Sequence, residues 1–133
     1  MSSIFTKIIN REIPAYIVAE TEEYIAFLDV FPLAEGHVLV VPKKETDYLF
    51  DLDEAHLSGI FVFAKMVAHA LKKAVACKRI GVAVIGLEVP HAHIHLIPLQ
   101  NVDDINFSRP KLKLSPERMQ EITDRIKSEL QIS

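Results

Sequence analysis

Three histidines, His91, His93 and His95, alternate with apolar residues in Val-Pro-His-Ala-His-Ile-His-Leu-Ile-Pro, residues 89 to 98. They are half of the six histidines in the chain. A neutral imidazole nitrogen is a competent nucleophile near pH 7 and a common zinc ligand. Side chains along a strand point to opposite faces in turn. This spacing therefore puts the three imidazoles on one face and Ala92, Ile94 and Leu96 on the other.

Two chemistries use such a row. As a metal centre it is awkward, because the Cα atoms of His91 and His95 would lie roughly 13 Å apart in a strand while a Zn–N bond spans about 2 Å. At most two neighbours share one ion, and further ligands would have to come from His37 or Glu88. Neither Cys-x-x-Cys nor His-Glu-x-x-His accompanies them, so no metal is expected. As a phosphate-handling row the pattern is better matched. A second imidazolium nearby holds the middle ring neutral by like-charge repulsion, which makes His93 the best-placed nucleophile. Three buried histidines without chemistry would each need partners for their ring nitrogens.

The triad followed by two apolar residues resembles the signature of the histidine triad (HIT) family of nucleotide hydrolases and transferases. Ser3-Ile-Phe-Thr-Lys-Ile-Ile-Asn-Arg-Glu-Ile-Pro14, Ala26-Phe-Leu-Asp29 and Gly36-His-Val-Leu-Val-Val-Pro-Lys43 are similar to Hint-like members as well, so the resemblance covers residues 3 to 98. It implies a homodimer with two nucleotide sites. It also implies hydrolysis of nucleoside phosphoramidates or dinucleoside polyphosphates at the α-phosphorus, through a nucleotidyl intermediate on His93 and without a cofactor. In that scheme His95 and His37 stabilise the phosphoryl charge, and the main-chain carbonyl of His91 fixes the His93 tautomer. Ile4, Phe5, Ile8, Phe27 and Leu39 wall the base, and Asp29 accepts the ribose hydroxyls.

One loop departs from the family pattern. Leu87 stands where a glutamine is common, Glu88 follows it, and no asparagine occurs between Arg79 and Gly86. Glu88 is then either a general acid with a raised pKa or a turn cap, and in its ionised form it repels a phosphate. A nucleotide-binding module without catalysis is the chief alternative function, and a metal-binding protein a further one.

The elements that must carry these residues are legible in outline. Residues 4 to 10 form a short amphipathic turn with Ile4, Phe5 and Ile8 together, ended by Pro14. Strands are expected at 16 to 20, 24 to 29, 37 to 41, 79 to 85 and along the histidine segment. His37 opens the third strand and Asp29 closes the second. A long helix over 52 to 75 carries the stripe Leu57, Ile60, Phe61, Ala64, Val67, Ala68, Leu71 and Val75, with Asp51 and Glu54 spaced as a capping box. His56 and His69 fall off that stripe and face solvent. A last helix starts at Ser115-Pro116 and buries Met119, Ile122, Ile126 and Leu130. The expected fold is α+β: about five antiparallel strands, one long helix packed on them and a second helix at the carboxyl end. Residues 99 to 114 are irregular and receive no role, and in the family the segment 99 to 133 is variable.

Composition narrows the function. The 133 residues suit one domain over 1 to 133, long enough to bury about two thirds of its unfolded surface. Fifteen Lys plus Arg against 18 Asp plus Glu give a net charge of −3, so no global field attracts nucleic acid and any anion must be held locally. Half the residues are apolar and the mean hydropathy is +0.20, which calls for a generous core or a shared apolar face. The single cysteine, Cys77, excludes an internal disulfide. No secretory signal opens the chain, and no run approaches the 18 or so apolar residues of a membrane span, so a cytoplasmic protein is expected.

Overall fold

The computed structural model describes residues 2–130. Its centre is a five-stranded antiparallel sheet made of β1 (Ile17–Glu20), β2 (Tyr24–Leu28), β3 (Val38–Pro42), β4 (Arg79–Ala83) and β5 (Ile94–Leu99), ordered β1-β2-β3-β5-β4. Strands β2, β3 and β5 are central, and β2 and β3 are buried at every position. That is why their sequences are apolar on both faces.

One face of the sheet, with Ala26, Leu28, Val38, Val40, Ile94 and Leu96, joins the main core with α2 (Glu54–Ala74) and α3 (Pro116–Glu129). The opposite face, with Ile25, Phe27, Leu39 and Val41, packs against Phe5 and Ile8 of α1 (Ile4–Ile9). A six-residue helix does not persist alone in water. Burial of Phe5 and Ile8 supports it, and so does its cap, where Ser3 Oγ accepts the Thr6 amide at 3.0 Å.

Helix α2 is rotated from the expected stripe. Ile60, Phe63, Ala64, Val67, Ala70 and Leu71 are buried, whereas Phe61 is 42% exposed. Phe63 and Ala70 complete a 3.6-residue stripe with Ile60, Val67 and Leu71 that Phe61 cannot join. The cap also differs, since Asp53 accepts the His56 amide at 2.8 Å while Asp51 ends a 3-10 turn over Leu49–Asp51. Helix α3 starts at Ser115 with Pro116 as expected, and buries Met119, Ile122, Thr123 and Ile126. Among the described residues no helix is long and apolar enough to cross a membrane.

Candidate active site

Strand pairing brings the site together. β3 and β5 are neighbours with Leu39 opposite His95, so these two side chains stand side by side on the α1 face. His37 immediately precedes β3, after a turn that Gly36 makes at φ +88°. A Cβ there would also lie 2.9 Å from a Val75 methyl, so the turn that aims His37 excludes larger residues. The alternation of the histidine segment holds, with Ala92, Ile94 and Leu96 all in the main core. The strand ladder, however, begins only at Ile94, with His91 at a bend and His93 in the extended link before it.

Hydrogen bonds set the protonation pattern of four rings. The Leu33 amide donates to His37 Nδ1 at 3.0 Å, so a neutral His37 carries its proton on Nε2. That Nε2–H points at His95 Nδ1, 3.0 Å away, which leaves the His95 proton on Nε2. His93 Nδ1–H donates to the His91 carbonyl at 2.8 Å, leaving a lone pair on His93 Nε2. Among the described residues no buried side-chain nitrogen or oxygen lacks a partner. The two Nε2 atoms of His93 and His95, which have no partner among the described residues, therefore open into the adjoining cleft.

The ring of His91 does not reach that cleft. Its Nε2–H donates to the Pro42 carbonyl at 2.8 Å and its Nδ1 accepts Ser3 Oγ–H at 2.6 Å. The His91 ring is thus a support, and only its main-chain carbonyl touches the reactive row. Burial holds the His37 imidazole down to about 3, helped by the neighbouring His95, and His95 down to about 4, helped by His93 and Lys111. Burial lowers His91 too. All three are neutral at pH 7, so no neighbouring imidazolium acts on His93 as the spacing had suggested, and the lone pair on its Nε2 follows from the Nδ1–H bond to the His91 carbonyl.

The cleft has a volume of about 530 Å³. Ile4, Phe5, Ile8, Phe27 and Leu39, the expected base wall, all line it. Phe5 meets Phe27 edge-on at 5.5 Å and His93 edge-on at 5.1 Å, which fixes an apolar slot beside the reactive row. Asp29 and Glu88 line it as well. One oxygen of Asp29 accepts the Phe31 amide at 2.9 Å and the other lies 3.7 Å from His37 Nε2. Burial raises the Asp29 carboxyl above its ordinary range. Glu88 is exposed at the rim, and Leu87 beside it is 87% exposed.

Asp29, His37 and His95 each offer one ligand atom within 4.8 Å of the others. Both His37 nitrogens and His95 Nδ1 are already engaged with Leu33 and with one another. An ion there would have to displace the bonds that set the tautomers. Two cleft residues carried no mark in the sequence. Phe107 packs edge-on against His95 at 4.7 Å and His37 at 6.3 Å, and Lys111 stands over Phe107. Both come from the irregular segment after β5, whose position no local periodicity reveals. Ser3 caps α1 and also bonds His91, and both roles come from the fold.

A free imidazole nitrogen, oriented by its own chain and facing an apolar, carboxylate-edged cleft on an antiparallel sheet, defines a small class of α+β proteins built on a His-x-His-x-His segment. The chain belongs to the HIT domain family, whose model matches residues 10–102. An uncharacterized HIT-like protein of Borreliella burgdorferi is 36% identical over 92% of this chain and 94% of its own. The adenosine 5'-monophosphoramidase hnt1 of Schizosaccharomyces pombe is 31% identical over 98% of this chain and 99% of its own. A crystal structure of a HIT-like protein from Bartonella henselae superposes with a TM-score of 0.85 and 32% identity, covering 97% of this chain and 96% of that one.

Proposed function

We propose that the protein hydrolyses nucleotides at the α-phosphorus, with nucleoside phosphoramidates as the leading substrate class and dinucleoside polyphosphates as the second. The observation that carries this reading is the bond from His93 Nδ1 to the His91 carbonyl, which leaves His93 Nε2 open to the cleft. His93 Nε2 attacks the phosphorus and forms a P–N bond. The leaving amine or phosphate departs with its electron pair and takes a proton from water. A water molecule then attacks the nucleotidyl-His93, the P–N bond breaks, and the nucleoside monophosphate is released. His95 Nε2–H donates to a phosphoryl oxygen as charge develops, and His37 acts through His95 by fixing its tautomer. The base lies between Phe5, Phe27 and Leu39, and Asp29 receives the ribose hydroxyls. Similarity to a named adenosine 5'-monophosphoramidase supports the phosphoramidate class.

The working unit is a homodimer in this reading. Val62 and Met66, one turn apart on α2, and Val82 on the edge strand β4 are large apolar residues facing outward. A second copy of this chain covers them.

Purified protein incubated with adenosine phosphoramidate and with diadenosine polyphosphates, with and without EDTA, tests the proposal by release of AMP. Chelator-resistant release supports hydrolysis by the histidine row, and the faster substrate assigns the class. AMP binding without turnover of any substrate identifies a binding module instead. Loss of activity or stability in EDTA points to metal at Asp29, His37 and His95.

A further inference from the structure

The cleft is short of positive charge for a phosphate ligand. His37 and His95 are neutral at pH 7, Asp29 and Glu88 are carboxylates, and the loop at Gly86, Leu87 and Glu88 presents no amide side chain. Lys111 is the only lysine or arginine among the described residues lining it. Its position is built. The Leu112 amide donates to the Pro32 carbonyl at 2.8 Å, which ties the segment to the loop that precedes His37. Lys111 Nζ donates to the Phe107 carbonyl at 2.8 Å and stands 5.9 Å over the Phe107 ring, which itself packs on His95. An ammonium has three donors. Nζ directs one to Phe107 and a longer one, at 3.4 Å, to the Arg109 carbonyl, leaving a third for a ligand. The charge is also felt inside the row, where it helps to depress both His37 and His95.

We infer that Lys111 is the phosphate-binding cation of this cleft: it takes a non-bridging oxygen of the nucleotide phosphate on the side of His95, where this chain's rim loop supplies no amide side chain. The assignment rests on the nucleotide reading of the cleft. It makes the segment after β5 part of the binding site, with Phe107 as the platform that aims the lysine.

Calorimetric titration of AMP and of adenosine into wild type, Lys111→Met and Lys111→Arg tests it. Lys111 is exposed, so the folded state tolerates both substitutions. AMP affinity is expected to fall about tenfold in K111M, as for loss of one charge-assisted hydrogen bond, with adenosine affinity unchanged and K111R near wild type. AMP bound by wild type with the AMP-to-adenosine ratio unaltered in K111M overturns the role of Lys111 and leaves the nucleotide site standing. Wild type that binds neither ligand overturns both.

Discussion

Ser3 Oγ lies 2.6 Å from His91 Nδ1, joining two residues 88 positions apart. The same hydroxyl caps α1, and Glu45 Oε1 holds the Ser3 amide at 2.7 Å and the Thr6 hydroxyl at 2.6 Å. The helix that walls one side of the cleft is therefore latched to the residue whose carbonyl orients His93. Formation of the apolar slot and orientation of the His93 ring are parts of one packing event.

Ser3→Ala breaks both roles of the hydroxyl. It removes a helix cap and leaves buried His91 Nδ1 with only the Thr6 hydroxyl at 3.5 Å, so stability is expected to fall by about 1–3 kcal/mol in urea denaturation. Turnover falls more than AMP affinity, because the ring that anchors the His91 carbonyl is loosened. Ser3→Thr restores both.

His37→Ala leaves the Leu33 amide and His95 Nδ1 unpartnered in a buried place. The expected cost is about 2–4 kcal/mol, from the lost side-chain volume and two unsatisfied polar groups. In the protein that remains folded, kcat is expected to drop with KM little changed, since in the proposed reaction His37 acts on the phosphate through His95.

Acid should unfold the protein early. Burial holds His37 and His95 at about 3 and about 4 in the folded protein, against an ordinary value of 6.5. Below pH 6.5 the unfolded chain takes up protons that the folded rings refuse, so stability falls as pH drops from about 6.5 toward 4 and levels off once the folded rings also protonate. Above about pH 7 these rings contribute no slope. The raised carboxyl of Asp29 acts with the opposite sign in the acid range. Urea midpoints measured at pH 7, 6 and 5 should decline, by up to about 1.4 kcal/mol per pH unit for each ring. A flat profile would contradict the buried neutral histidines.

Much of this architecture is legible in the sequence, for physical reasons that also mark where legibility ends. Strands such as Val38–Pro42 declare themselves because burial on both faces demands an unbroken apolar run, and Ser115-Pro116 declares α3 through capping. The histidine row is readable because alternation is a local rule. The direction α2 faces is less so: Phe61 and Phe63 compete for the core, and the sheet beneath selects Phe63. The support given to His91 by Ser3, and the arrival of Phe107 and Lys111 over His95, depend on contacts between distant segments and leave no periodic trace.

The apolar exterior of α2 and β4 gives the dimer its test. Val62→Glu combined with Val82→Glu places two charges on the proposed interface without touching the core. Light scattering should report a dimer for wild type and a monomer for the double variant. A wild-type monomer would remove the second copy from the account.

In the proposed reaction His93 Nε2 becomes covalently attached to the nucleotide. Rapid acid-free quenching of wild type with adenosine phosphoramidate, followed by mass spectrometry of the peptide containing residues 91 to 95, reads this directly. One added nucleotidyl group on His93 is expected during turnover, and none in His93→Ala, which should also release no AMP. Steady AMP release with no adduct, and a His93→Ala variant that retains it, would contradict a covalent intermediate on His93.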